Sequence, residues 1–471
     1  MSLAIALFLL VIATVVLHFV FAYYFDWWFT PLAADWAGID LTVLITLWVT
    51  GFVFVAINAF MAYCVWRFRH KPGHKAVYEP ENKKLEINLS IFTTVGVVLM
   101  LAPGLFYWAV FVNVPEGAND YEVLAQQWQW QYRYPGADGI LGTADTSLVS
   151  ESNPFGINPE DPNGQDDVVV NDPQMRLPVD QDAHFLFRSN DVLHNFTVPQ
   201  FRVKMDLVPG LISYMWFTPT EVGTYDVLCE ELCGIGHFIM RGQVVVETEE
   251  DFNAWLAAQP TFAETQNMVA ANPAAGQAQY AICATCHGQQ GEGLLPQEGG
   301  SPLNIGPKLA GQPAWYLERQ LQYFKNGVRG GEGDDDASRG MATMSLTLFD
   351  DDAVRNMAAY IATLPDEPAE RTVTGDIANG QDIYDRNCAA CHLDDGSGTW
   401  YTDAPPLAGQ SDWYLVNQLG KFQSGIRGMH PEDDFGEQMV YMATAMADEE
   451  EIRDVAAYIN TLVSSRIEVG E

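Results

Sequence analysis

Positive charge is scarce in this chain. Its 471 residues carry 24 Lys+Arg against 61 Asp+Glu, a formal net charge of -37. Such a balance argues against a nucleic-acid surface and for solubility or cationic partners. The deficit is uneven. Through residue 120 there are 6 basic and 8 acidic residues, which leaves 18 against 53 for the rest. Cysteine is scarce too, with 7 residues, and six of them fall in three close pairs that each precede a histidine. Scattered disulfides do not make that pattern, whereas metal ligation or cofactor attachment does. The remaining thiol, Cys64, sits in an apolar stretch and reads as a small buried residue.

Three long apolar runs are present, about Ser2 to Tyr24, Leu41 to Trp66 and Ile87 to Val112. Each is long enough to span a bilayer as a helix. No Lys or Arg occurs before Arg67, and then Arg67, Arg69, Lys71, Lys75, Lys83 and Lys84 crowd the loop between the second and third runs. The positive-inside rule puts that loop and the N-terminus in the cytoplasm, and everything after about residue 113 outside. A cleaved signal peptide is the alternative for the first run, but it lacks a basic leading region and a clear small-residue cleavage site. The expected layout is a membrane region at 1–113, an exported domain at 114–248, a linker at 249–274, and two further domains at 275–366 and 367–471.

Within 121–246, VVV at 168–170, HFLFRS, NFTVP, YMWFTP, TYDVLC and GQVVVE predict short strands at the spacing of a β-sandwich. Residues 136–167 are rich in Gly, Asp and Pro and predict a long loop. The linker predicts one short helix.

The last two domains are copies of one repeat. LAGQPAWYLERQLQYFKNGVRG (309–330) matches LAGQSDWYLVNQLGKFQSGIRG (407–428), and AVRNMAAYIATL (353–364) matches EIRDVAAYINTL (451–462). CATCH (283–287) matches CAACH (388–392) with a larger offset, so the first copy holds seven extra residues after that motif. Apolar positions such as Tyr316, Leu317, Leu321 and Phe324 recur at helical spacing. The CxxCH motif offers two thiols for thioether bonds to a haem, and a histidine as axial ligand. This assigns two c haems, at Cys283, Cys286 and His287 and at Cys388, Cys391 and His392. Methionine as second axial ligand raises the potential, as suits electron transfer. Met341 or Met344, and Met439 or Met442, qualify equally by repeat position.

The stretch CEELCGIGHFIM (229–240) packs two thiols, an imidazole and a thioether into one loop. Soft thiolates with imidazole and a weak thioether suit copper better than zinc, which prefers four strong ligands in a closed site. Two bridging thiolates would hold two coppers once one more histidine is added, and His194 in SNDVLHNFTVP is the candidate. A Cys229–Cys233 disulfide or a copper-chaperone loop is the rival reading.

Here the motifs become recognisable. The pattern C-x-E-x-C-G-x-G-H-x-x-M, with DV.H.F..P upstream, resembles subunit II of haem–copper cytochrome c oxidase over about 41–246. The repeat is similar to tandem dihaem cytochromes c over about 275–462. The combined resemblance is to a caa-type oxidase subunit. It implies membrane helices, a cupredoxin-like β-sandwich and two all-α cytochrome domains. It implies a dinuclear copper centre, CuA, held by His194, Cys229, Cys233, His237, Met240 and the carbonyl of Glu231, with the Glu231 carboxylate facing a Mg or Mn site. Among the methionines it selects Met341 and Met439. Trp128 in QWQWQY matches the residue where electrons reach CuA, while Trp130 reads as packing. Glu86 in LEINLS matches a carboxylate at the mouth of a proton path. The implied partners are subunit I with haem a and CuB, subunit III, membrane lipid and a cytochrome c-type donor. The implied place is a bacterial inner membrane with the redox domains outside. A CuA-bearing nitric-oxide reductase subunit and a metal-binding assembly scaffold are the alternatives. The chain departs from the oxidase pattern at Leu89, Ser90, Thr93 and Leu211, and in its first apolar run.

Overall fold

A computed structural model describes residues 2–24, 29–75, 78, 80–267, 270–295 and 306–462. Part of the insertion expected after the first CxxCH lies outside the described residues.

Among the described residues, three helices are long and apolar enough to cross a membrane. Helix α1 is Ser2–Phe19 with a wider turn continuing to Tyr24, α2 is Ala37–Arg67, and α3 is Lys83–Phe111. The last two start a turn before the apolar runs do. At α3 the reason is local, since the Asn82 side chain accepts from Leu85 N at 3.1 Å and caps the helix. Side chains such as Phe52 and Phe92 point outward, as on helices made for lipid or partner helices. Cys64 is half-buried on α2 rather than buried, because α2 presents most of its circumference outward.

The start of α2 and the end of α3 meet the exported domain. Trp36 Nε1 donates to Trp216 O at 3.2 Å, and Tyr214 Oη donates to Val112 O at 3.1 Å. Arg202 grips Asp40 through Nε at 2.7 Å. The basic segment at 67–84 therefore lies at the opposite end of both helices.

The exported domain is a sandwich of two five-stranded sheets. Its strands are β1 Asn119–Gln126, β2 Gln129–Tyr134, β3 Val168–Val170, β4 Gln174–Pro178, β5 Ala183–Ser189, β6 His194–Val198, β7 Val203–Leu207, β8 Ser213–Phe217, β9 Gly223–Leu228 and β10 Arg241–Glu247. The sheet orders are β3-β2-β1-β5-β8 and β4-β10-β9-β6-β7. Alternation places Phe185, Phe187, Phe196, Phe217 and Trp130 between the sheets.

The 136–167 insertion is more than a surface loop. Phe155 and Ile157 are fully buried with Leu124 and Phe262 in a small core of their own. Arg133 ties it down, pairing with Glu122 and Asp167 and donating to Gly142 O. The linker holds two helices instead of one, α4 Glu249–Ala257 and α5 Phe262–Gln266. Phe252 and Trp255 pack on Tyr134, so these helices are stitched to the sandwich.

The first repeat folds as α6 Pro273–Tyr280, α7 Ala284–His287, α8 Ala314–Lys325, α9 Asp336–Ser345 and α10 Asp351–Ile361. The second folds as α11 Ile377–Asn387, α12 Ala389–His392, α13 Asp412–Gln423, α14 Asp434–Thr444 and α15 Glu449–Ile459. The amphipathic stripes read from the sequence close two small cores, around Leu317, Leu321 and Val354 and around Leu415, Phe422 and Val455.

Candidate metal centre and haem sites

The loop 229–240 joins β9 to β10, whose pairing brings Leu228 opposite Arg241. Strand β6 lies beside β9 and opens with His194. Antiparallel pairing thus carries an upstream histidine to both cysteines. The ligating atoms of His194, Cys229 and Cys233 all lie within 4.8 Å of one another. The two sulfurs stand 3.7 Å apart, which is no disulfide. Cys233 Sγ is 3.5 Å from His237 Nδ1 and 3.8 Å from Met240 Sδ, and Cys229 Sγ is 3.3 Å from the Glu231 carbonyl oxygen. The Glu231 side chain is half-buried at the rim.

The electrostatics suit a cation. The Cys233 thiol donates to Cys229 and holds it as thiolate well below the usual thiol range, while that thiolate pushes Cys233 up. Burial works against protonating His194, but the Asp191 carboxylate and Cys229 raise it. Asp191 Oδ1 fixes His194 Nε2 at 2.8 Å, and Nδ1 is buried with no hydrogen-bond partner. An orphaned imidazole nitrogen aimed at two sulfurs fits a soft metal, and the carboxylate behind it is the support that ligating histidines require. Zinc's closed four-ligand geometry accounts less well for five donors and a thioether.

Trp128 is 3 % exposed and lies against this loop, its Nε1 donating to Cys233 O at 3.0 Å. A Cβ on Gly236 would come 2.4 Å from the Trp128 ring, so only glycine admits this contact. Trp130 is buried edge-on to Phe196, the packing role expected of it. Glu86 lies exposed in the first turn of α3, at the end of the helix away from the sandwich.

The two CxxCH motifs line one cavity of about 730 Å³ between the last two domains. His287 Nδ1 bonds Pro307 O and His392 Nδ1 bonds Pro405 O, each at 2.8 Å, which leaves each Nε2 as the free ligand atom. Burial lowers both histidines, His392 to about 4, so both are neutral and able to ligate. Burial likewise raises Cys388 and Cys391 to about 12. A buried neutral imidazole flanked by two half-buried thiols at the wall of an apolar cavity fits a covalent haem. All four candidate methionines line the cavity. Met341 packs with the core around Cys283 and Met439 with the core around Cys388, while Met344 is 40 % exposed.

Several contributors gave no sequence signal. Phe238, beside His237, stacks edge-on with Tyr441 of the second repeat, and Gln129 Nε2 donates to Tyr401 O at 3.2 Å. Asp191 had the weak signal of its place three residues before His194.

Comparison with known proteins accords with this geometry. A family model described as "Cytochrome C oxidase subunit II, periplasmic domain" matches residues 121–248, and one described as "Cytochrome c" matches 273–365 and 377–463. The alternative cytochrome c oxidase subunit 2 of Bradyrhizobium diazoefficiens is 53% identical over 263 residues, which cover 56% of this chain and 94% of that one. The chain belongs to the cytochrome c oxidase subunit 2 family. Cytochrome c oxidase subunit 2 of Cereibacter sphaeroides is 31% identical over 44% of this chain and 74% of its own. Reduced cytochrome c4 from Pseudomonas stutzeri, a solved structure, is 28% identical, covering 41% of this chain and 100% of its own at a TM-score of 0.32.

This subunit 2 is a periplasmic oxidase domain fused to two cytochrome c domains, behind membrane-type helices. Copper and c-type haem are its family's cofactors, its role is electron transfer in an oxidase, and its assembly is with subunit I.

Proposed function

We propose that this subunit carries electrons from an external donor, by way of two c haems and CuA, to haem a of subunit I, where oxygen is reduced to water. When bound, these groups supply one-electron steps; the residues decide their order. The carrying observation is that Cys391, of the second CxxCH, packs against the hydrophobic cluster that contains Trp128, Cys229, Cys233 and Met240. The second cytochrome domain therefore caps the copper loop, and the domain at 275–366 is the outer one that meets a donor.

Residues His194, Cys229, Cys233, His237, Met240 and the Glu231 carbonyl would hold the two coppers, with the Glu231 carboxylate toward a Mg or Mn site. His287 with Met341 and His392 with Met439 would be the axial pairs, supported by the packing of those two half-buried methionines against the cores that also hold Cys283 and Cys388. Trp128 would couple the capping domain to the copper loop. Purified protein should hold two haems and two coppers, with an EPR spectrum of one electron shared between them. Cys229→Ser should collapse that spectrum, and an unchanged spectrum would overturn the ligand set.

In the same reading the complex sits in a bacterial inner membrane with subunits I and III and pumps protons, with Glu86 at the uptake side. Glu86→Gln should slow turnover and leave copper reduction untouched. Equal turnover in both proteins would reduce Glu86 to a solvated acid.

A further inference from the structure

The cavity between the two cytochrome domains holds a second feature that the axial ligands do not use. Arg329 and Arg427 occupy equivalent places in the repeat, in NGVRG and SGIRG, and both line the cavity. Each reaches into the other domain. Arg329 Nη2 donates to Gln418 Oε1 at 3.0 Å and meets Tyr414 Oη at 3.4 Å. Arg427 Nη2 donates to Gln320 Oε1 at 3.1 Å and meets Tyr316 Oη at 3.4 Å. Each also donates to the glutamine that the other uses, Arg329 to Gln320 and Arg427 to Gln418 at 2.7 Å. The result is a pseudo-twofold cluster of two guanidiniums, two amides and two phenols across the domain boundary.

This cluster is unbalanced. Arg329 is 6 % exposed, and Arg427 Nε is buried with no hydrogen-bond partner. Their partners are neutral oxygens, and among the described residues no carboxylate pairs with either guanidinium. Asp433 is the acid whose field reaches Arg427, but its Oδ1 is engaged by Gly436 N. Burial alone would raise Tyr414, yet the arginines bring it below the ordinary phenol range, which registers the excess positive field. Two cations withdrawn from water require anionic partners. Asp335, Asp403 and Asp433 line the same cavity, yet none of them forms an ion pair with either arginine. The anions must come from what fills the cavity, and each c haem carries two propionate carboxylates. Guanidinium forks suit carboxylates in bidentate geometry.

We propose that Arg329 and Arg427 form one shared clamp for propionates of both haems, so that each arginine sets the potential of the haem in either domain. This rests on the reading of both CxxCH motifs as haem sites. Haem content and the α-band spectrum test that reading separately, before any potential is measured.

Spectroelectrochemical titration of the full haem-loaded chain tests the clamp. Arg329→Gln should lower the reduction equilibrium constant of both haems about tenfold, which is about 59 mV for one electron. Arg427→Gln should do the same. The copper potential should not move. Arg329→Lys and Arg427→Lys, which keep the charge, should recover most of the loss. Unchanged potentials, a shift confined to the haem of the mutated domain, or a Lys variant as low as the Gln variant would overturn the proposal. If a variant fails to load haem, infrared difference spectra of the wild-type protein with ¹³C-labelled propionates decide instead. Ionised, hydrogen-bonded carboxylate bands on both haems support the clamp, and protonated carboxyl bands contradict it.

Discussion

Gln438 Nε2 donates to the backbone carbonyl oxygen of Trp128 at 3.3 Å. One residue before Met439 on α14, it touches the tryptophan whose Nε1 donates to Cys233 O in the copper loop. The second cytochrome domain is thus seated against the copper loop, and Phe238–Tyr441 is a second contact, with ring centroids 5.8 Å apart.

Weakening that seat should slow transfer to copper without altering any potential. Phe238→Ala with Tyr441→Ala removes an aromatic pair, a loss of about 1 kcal/mol. Flash-induced oxidation of the c haems should become slower and more dependent on viscosity. An unchanged rate would mean that this contact does not seat the domain.

At the copper loop, Asp191→Asn keeps the side-chain shape but withdraws the charge behind His194 Nε2. Copper affinity should fall by about tenfold or more. Competitive chelator titration of the purified protein measures this, and equal affinity would remove Asp191 from the site's support.

The two methionine registers separate cleanly by mutation. Met341→Ala and Met439→Ala should each abolish one Met–iron signature in paramagnetic NMR. Met344→Ala and Met442→Ala should abolish neither. The reverse result would shift both ligands by one helical turn.

Asp412 gives a pH test of the second cytochrome domain. It is fully buried and accepts from Thr372 N at 2.7 Å, Val373 N at 2.8 Å and Asn460 Nδ2 at 3.0 Å. Burial alone would raise its carboxyl, but these donors hold it below the ordinary value. A group depressed in the folded state contributes stability above its unfolded value, and that contribution is lost as pH falls through the folded value. The thermal unfolding temperature should therefore drop on acidification below about pH 4, the usual aspartate range. Asp412→Asn should lower stability by about 2 kcal/mol at neutral pH and flatten that acid dependence. A variant with wild-type stability and an unchanged acid slope would contradict the assignment.

The parts of this molecule that were legible in its sequence are those where chemistry dictates residue type at short range. CEELCGIGHFIM, the two CxxCH motifs, the lone basic loop and the 98-residue repeat all announce themselves within a few positions. Strands β1, β2, β4 and β7 were not singled out: β1 and β2 bury polar residues such as Glu122, Gln126, Gln129 and Gln131, and β4 and β7 are five residues each with charged residues between their buried apolar ones. The 136–167 insertion hid its core, since Phe155 and Ile157 are two apolar residues among turn formers. The seat of the cytochrome domain was illegible, because Gln438 and Trp128 stand 310 residues apart and their bond needs neither charge nor motif. Arg329 and Arg427 were visible as a repeat but carried no meaning until the fold brought them together.

The proposed order of the redox centres runs from the outer cytochrome domain to copper. Stopped-flow mixing of the whole oxidase with a basic reduced cytochrome c, followed at the c-haem and CuA bands, tests it most directly. The c haems should be reduced before CuA. The second-order rate should fall as salt rises, because exposed charges are screened within about 10 Å at about 0.1 M. Copper reduced ahead of the haems, or an oxidase truncated near residue 250 that accepts electrons just as fast, would contradict it.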